Sequence, residues 1–158
     1  MARLRFIANP GGLSTHTARK TLIQLLAPSD QKTLIQTFGV GFQGVTSTDI
    51  PVLIELARQT DAGTPGGDGG ALTLIKHNSQ DGETFRTTAQ KGRSDSAAWT
   101  ANPTTTDVLW RFPCHPQSGV VYGPPPGWEY LANEGERIGL LVTAAVAITA
   151  VAFINGEE

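Results

Sequence analysis

The sequence has 158 residues, the length of one domain of ordinary size, which can bury a single core without metals or disulfides. Twelve basic and fourteen acidic side chains give a net charge of −2, which argues against nucleic acid or an anionic membrane as the main partner. Charged residues make up 16% of the chain, and 18 glycines with 10 prolines favour short strands joined by tight turns. The composition therefore predicts an all-β domain.

Residues 1–19 have a composition that is more typical of an arm than of a core element. They contain Pro10-Gly11-Gly12 and a run of Ser and Thr. Their apolar stretch, residues 4–8, is too short for the core of a signal peptide. We therefore expect an extended N-terminal arm over residues 1–19 and a folded domain over residues 20–158.

The pattern changes at residue 20, where two strand-like segments follow one another, KTLIQLLA and KTLIQTFGVGFQ. Leu34, Phe38, Val40 and Phe42 fall on one face of the second segment at period two, which predicts a strand with one buried face. The pentapeptide KTLIQ has no third copy, so it does not indicate a solenoid. Residues 52–59, VLIELARQ, predict a further strand, and a short helix is the alternative.

Two different loops are predicted in the middle of the chain. The segment TDAGTPGGDGG, residues 60–70, is a flexible loop by composition, and ALTLIK, residues 71–76, follows it as a strand. Residues 77–106 are mainly polar, with Phe85 and Trp99 as large apolar side chains among them. A polar stretch of this length is typical of an elaborated surface loop with a function. We expect this long polar loop to contact a partner.

Strands are predicted again from residue 107, where Val108, Trp110 and Phe112 alternate, and around GVVYG at residues 119–123. The apolar run at residues 138–154 reaches the lower limit for a membrane-spanning helix. It is rich in β-branched residues and no basic residue follows it, so we predict two core strands that meet near residues 144–145. About eight strands in all predict a jelly-roll-like β-sandwich.

No catalytic or metal-binding motif stands out. The three histidines are far apart, and Cys114-His115 is not a nucleophile–base dyad because adjacent side chains of an extended chain point in opposite directions. The single cysteine cannot form an internal disulfide, and GTPGGDGG lacks the Lys-Ser/Thr of a phosphate-binding loop. We predict a protein that is not an enzyme, with no catalytic residue, cofactor or metal. A glycosidase, whose carboxylate pair has no diagnostic sequence spacing, stays open as a third hypothesis.

Aromatic residues gather in the second half of the chain, where a sugar-binding platform or a protein interface would use them. Its alternation predicts Trp110 in the core. Trp128 follows three prolines and a glycine and is predicted at a surface or subunit interface. The candidate interface residues are Arg3, Arg5, Phe6, Trp99, Trp128 and Tyr130.

Two long segments resemble small head proteins that tailed bacteriophages encode beside the major capsid gene. They are FGVGFQGVTSTDIPVLIELARQTDAGT and NPTTTDVLWRFPCHPQSGVVYGPPPGWEYLANEGERIGLLVTAAVAITAVAFINGEE. The likeness lies in the order of a G-V-x-S-T-D-x-P-V strand start, a Gly-rich loop, a T-x-D strand entering a Pro-rich turn, a W-E turn and an E-R-I-G-L-x-V-T-A hairpin. It covers about residues 32–158.

The resemblance implies a jelly-roll decoration or cement protein, often trimeric, that binds the outside of a capsid and stabilises it. Its partners would be the major capsid protein and other copies of itself, with no nucleic acid and no membrane. Such a protein is made in the host cytoplasm and ends at the capsid surface of the virion. The second hypothesis is a carbohydrate- or receptor-binding β module of a phage tail or fibre.

Overall fold

The computed structural model describes residues 4–43, 50–78, 82–94 and 99–158. These residues form thirteen β-strands and no helix, so the all-β prediction is confirmed. The strands are β1 (Arg5–Ala8), β2 (Gly12–Ser14), β3 (Lys20–Leu26), β4 (Thr33–Gln43), β5 (Val52–Gln59), β6 (Gly70–Leu72), β7 (Ile75–Lys76), β8 (Thr88–Lys91), β9 (Thr105–Cys114), β10 (Val120–Tyr122), β11 (Tyr130–Ala132), β12 (Arg137–Thr143) and β13 (Thr149–Glu157).

The strands form two antiparallel sheets in a sandwich-like arrangement. The seven-stranded sheet has the order β10-β4-β13-β1-β7, with β11 also paired to β4 and β2 to β13. The six-stranded sheet has the order β6-β8-β3-β12-β5-β9. The chain crosses between the sheets at each step from β3 to β5, from β9 to β10 and from β11 to β13, whereas β10 and β11 lie in the same sheet. Most neighbours in a sheet are therefore distant in sequence.

The core lies between the two sheets and is centred on the last two long strands. Alternate residues of each point inward and are fully buried: Ile138, Leu140 and Val142 of β12, and Ala150, Ala152 and Ile154 of β13. The predicted break near residues 144–145 is confirmed, since β12 ends at Thr143. These strands belong to different sheets and face each other across the core, so the predicted hairpin is wrong. Val146 lies in the exposed connection rather than in β13.

The arm predicted for residues 1–19 is wrong for the part that the structure describes. Strand β1 pairs with β13 and β7, and β2 pairs with β13. Phe6, Ala8 and Leu13 are buried in the core. The Pro-Gly-Gly sequence has the composition of a linker but forms the turn between β1 and β2, and both of these short strands pair with β13. Residues 1–3, which include the candidate Arg3, lie outside the described residues.

The long polar loop predicted at residues 77–106 is also built into the sandwich where it is described. Strand β8 pairs with β3 and β6, and the ring of Phe85 meets that of Phe6 edge-on with 5.7 Å between centroids. The preceding segment ALTLIK is two strands rather than one, because β6 joins the six-stranded sheet and β7 the other. Residues 79–81 and 95–98 lie outside the described residues.

Strand β9 forms one edge of the six-stranded sheet and has an irregular register. It pairs with β5 with shifts between Leu56 and Ala57 and between Ala57 and Gln59. Trp110 packs against the core as predicted, with its ring 5.1 Å from that of Phe38 in the opposite sheet. Val108 is exposed because the first shift turns it to the other side of the strand.

Candidate functional site

The outer face of the six-stranded sheet is covered by the chain itself. Side chains on this face would be exposed in a bare sheet, yet they are buried: Thr21, Gln24, Glu55, Ala57, Gln59 and Leu141. The segments around residues 60–69 and 99–104 lie over them and are joined by an antiparallel bridge between Thr64 and Ala101. The central part of this face is therefore covered, while Val108 and Arg111 of the edge strand β9 stay exposed on it.

Hydrogen bonds hold the cover in place, as expected for polar groups that are removed from water. Gln24 donates its side-chain amide to the Gln59 side chain at 2.7 Å and to the carbonyl of Asp61 at 2.8 Å. A hydrogen bond from the Thr104 side chain and another from the Gly63 amide lower the pKa of Asp61. The carboxylate of Asp61 thus ties the two covering segments together.

Trp99, a candidate interface residue, is part of this cover. It is buried, and its indole Nε1 donates a hydrogen bond to the Thr21 carbonyl at 2.8 Å. It therefore has no surface to offer a partner, and its predicted place at an interface is wrong.

Replacing Trp99 with phenylalanine should lower the free energy of unfolding by about 1–3 kcal/mol, because a buried carbonyl loses its indole donor. Equilibrium denaturation in urea measures the loss. The matched control is Trp128→Phe, which changes an exposed side chain and should stay within about 0.5 kcal/mol of the original protein. Equal effects of the two substitutions would contradict the covering role of Trp99.

A buried carboxylate also anchors the cover at the β9 edge. Arg19 donates from Nε to Glu55 Oε2 at 2.6 Å, and Arg111 donates from Nε to Oε1 at 2.7 Å. The Glu55 side chain is almost fully buried while both arginines reach solvent. The two arginine cations compensate the negative charge of the buried Glu55 carboxylate, so its burial has a structural explanation. Glu55 is therefore not a candidate catalytic group.

The outer face of the seven-stranded sheet is different, because no described segment lies over it. Seven of its outward-pointing side chains are apolar, and none of these belongs to the core cluster or packs against it. Polar and charged side chains lie among them on the same face, namely Arg5, Thr149, Asn155 and Glu157. We call the surface of the seven apolar side chains the apolar face; it consists of Ile7, Leu34, Ile75, Val121, Leu131, Val151 and Phe153. Val121 is 68% exposed and the others are half-buried or exposed. An apolar surface of this kind marks a site of interaction.

Two cross-strand rows form the centre of the apolar face. In one row, Val121 of β10 lies opposite Gly39 of β4, which lies opposite Phe153 of β13. The Phe153 ring lies over Gly39, where an added Cβ would come within 2.7 Å of the ring. In the next row, Gly41 lies opposite Val151. Neither row contains a charged side chain.

The glycines leave a depression in the apolar face. It has a volume of about 310 Å³ and is lined by backbone and side-chain atoms of Val40, Gly41, Ser118, Gly119, Val120, Val121, Val151 and Phe153. A Cβ added at Gly41 would have no heavy atom within 4 Å, so the space above this residue is open. The depression is therefore a shallow apolar pocket between β10, β4 and β13.

Trp128 protrudes from the turn between β10 and β11 and is 77% exposed. Its amide donates a hydrogen bond to the Pro125 carbonyl at 2.9 Å, and the Gly127 amide donates one to the Glu129 side chain at 2.7 Å. Gly127 has a φ of +88°, a conformation that suits glycine. The exposure of Trp128 agrees with the sequence prediction.

The other candidate interface residues are distributed between core and surface. Phe6 is buried, so its predicted place at an interface is wrong. Arg5 is exposed at one end of the apolar face and forms an ion pair with Glu157 at 3.5 Å. Tyr130 packs against Phe38 at 6.2 Å between ring centroids, and burial is the main cause that raises its pKa.

The groups that could carry chemistry are dispersed in the described part of the chain. Cys114 is buried, and burial raises the pKa of its thiol, whereas the neighbouring His115 is exposed. No cluster of three or more His, Cys, Asp or Glu side chains that could hold a metal occurs among the described residues. Nor do these residues contain a helix long and apolar enough to cross a membrane.

Comparison of the chain with protein-family models, with curated proteins and with solved structures gives no match.

Proposed function

We propose that this protein is a structural component of a tailed-bacteriophage head. It binds the outside of the capsid as a decoration or cement protein, stabilises the shell and acts as a homotrimer with the major capsid protein as its partner. Its place is the capsid surface of the virion. The observation that carries the proposal is the uncovered apolar face of the seven-stranded sheet, in a molecule whose other outer sheet face is covered in its central part.

The size of the apolar face supports an interface with protein. Strands lie about 4.8 Å apart and rise about 3.3 Å per residue. Five strands across the sheet and the nine residues of β13 therefore span at most roughly 600–700 Å², because β10, β1 and β7 have only two to four residues each. A standard interface buries about 800 Å² on each partner. The whole outer face, apolar and polar side chains together, is thus large enough to form part of one such interface.

The order of the strands supports the jelly-roll part of the proposal. A jelly roll consists of two packed sheets whose consecutive strands cross between them, so that no long hairpin stack forms within one sheet. The crossings at each step from β3 to β5, from β9 to β10 and from β11 to β13 have this character. The resemblance of residues 38–64 and 102–158 to phage head proteins points to the same architecture.

Binding to undecorated capsids tests the proposal directly. The purified protein should occupy symmetry-related positions on the shell in a particle reconstruction and should raise the temperature at which the capsid opens. Ile75→Lys should reduce occupancy at least about tenfold, because it places a charge on the apolar face at a position outside the depression. The control is Val146→Lys, since Val146 is 51% exposed on the loop between β12 and β13. Absence of wild-type binding at micromolar concentration would refute the function.

The exposed Trp128 favours carbohydrate binding as a second candidate function. An indole on a rigid turn can stack on the apolar side of a sugar ring, as aromatic side chains do with other flat or apolar ligands. Glycan binding that disappears in Trp128→Ala, together with no binding to capsids, would support this candidate. Trp99 cannot serve as a second stacking residue because it is buried.

A further inference from the structure

We propose that Trp128 of one subunit inserts into the depression on the apolar face of the next subunit, so that copies of the chain join head to tail in a closed ring. This inference rests on the self-association in the proposed function and specifies how it occurs. The two surfaces it joins are distinct parts of one chain, an exposed indole and a shallow apolar pocket.

Trp128 has the properties of an interface anchor. It is the most exposed large apolar side chain among the described residues, at 77%. The turn that carries it contains Pro124, Pro125 and Pro126 and is held by two backbone hydrogen-bond donors, from Gly127 and Trp128. A rigid turn loses little conformational entropy on binding, and tryptophan is the residue most enriched among interface hot spots.

The depression has the chemistry and size to receive an indole. Its walls are the apolar side chains of Val121, Val151 and Phe153, and its floor is opened by Gly41. Its volume of about 310 Å³ lies at the small end of the range for pockets that hold small molecules, about 300–1,000 Å³. Ser118 and the backbone at Gly119 bring polar groups to the rim, where an indole N–H could donate a hydrogen bond.

A ring is the form of this contact that gives the trimer of the proposed function. Trp128 lies on the connection between β10 and β11, which both pair with β4, and the depression lies over β10, β4 and β13. Two copies that exchanged both indoles would form a closed two-fold dimer, whereas a contact made in one direction is heterologous and leaves each copy one of each surface for a further neighbour. Heterologous contacts close into a ring when the rotation between copies divides a full turn.

Two substitutions remove opposite halves of this contact. Trp128→Ala removes the indole, and Gly41→Val fills the pocket with a side chain that suits a strand and whose Cβ would have no heavy atom within 4 Å. Each should weaken self-association about 30-fold or more and shift the protein to monomers in sedimentation velocity. Val146→Ala, which alters an exposed side chain elsewhere, should leave the wild-type mass unchanged. Circular dichroism and thermal unfolding establish that each variant is folded.

Mixing the two variants gives the sharpest result. A Gly41→Val copy still has its indole, and a Trp128→Ala copy still has its pocket, so equal amounts should form a one-to-one dimer that cannot close. A reciprocal exchange of indoles would give the same mixed dimer, but its wild-type protein would have the mass of two copies rather than three, and that mass would overturn the ring. The inference is overturned if both variants keep the wild-type mass, if the folded mixture stays monomeric, or if the wild-type protein is itself a monomer at the concentrations that saturate capsids.

These results separate the inference from the proposed function. Wild-type rings and monomeric variants, with no binding to capsids, would uphold the contact and refute the decoration role. Capsid binding by a Trp128→Ala protein that remains a trimer would support the decoration role and refute the contact. Loss of glycan binding without loss of trimer in Trp128→Ala would assign the indole to a sugar and overturn the contact.

Discussion

Replacing Phe38 with alanine should lower the free energy of unfolding by about 3–5 kcal/mol. Phe38 is fully buried on β4, and its ring lies 5.1 Å from Trp110 of the opposite sheet and 5.7 Å from Tyr122 of β10. Truncation removes a large apolar volume and the edge-on contact that joins the two sheets at this end. A loss of this size is a large part of the stability of an ordinary domain, about 5–15 kcal/mol.

Urea denaturation at one fixed protein concentration measures this effect, because self-association would add to the apparent stability. Val121→Ala is the control, since Val121 lies on β10 beside the same part of β4 but points outward. We expect it to change stability by about 0.5 kcal/mol or less in the monomer. Similar losses for the two variants would contradict the role of Phe38 in joining the sheets.

Deleting residues 1–14 should leave a chain that does not fold. The deletion removes β1 and β2, which pair with β13, and the buried side chains of Leu4, Phe6 and Leu13. Each large apolar side chain contributes about 1.5–3 kcal/mol on burial, so the three together match the stability of a small domain. Far-ultraviolet circular dichroism and proteolysis measure the result.

The matched control for the deletion is Arg5→Ala, which retains β1 and removes an ion pair between an exposed arginine and the buried carboxylate of Glu157. Because it leaves the strand and the buried apolar side chains in place, this variant should fold and lose far less stability than the deletion. A truncated protein that folded normally but no longer bound capsids would instead restore the interpretation of residues 1–19 as an arm.

The long strands could be predicted from the sequence because period-two alternation and turn residues coincide there. This holds for β3, β4, β5 and β12. The short strands could not, since β1, β2 and β7 have two to four residues and their pairing with β13 or with each other is set by contacts distant in sequence. The burial of Trp99 could not be predicted for the same reason. It depends on a loop that folds over a sheet face distant from it in sequence.

The apolar face could not be predicted, although the residues that form it are visible in the sequence. In β13 the inward side chains include Ala152 and Ile154, and the outward ones include Val151 and Phe153. Both sides of this strand are apolar, so alternation cannot tell a core face from an uncovered one. Trp128 was easier to place, because a turn rich in proline and glycine leaves a bulky side chain few places other than the surface.

The irregular register of β9 has a consequence for solubility. Strand β9 has ten residues at the edge of its sheet, where backbone N–H and C=O groups without a partner can pair with another chain. Edge strands of this kind are sites of aggregation. The two register shifts twist this edge, and Pro113 removes a donor from it. Growth of the six-stranded sheet by addition of foreign strands at this edge is therefore disfavoured.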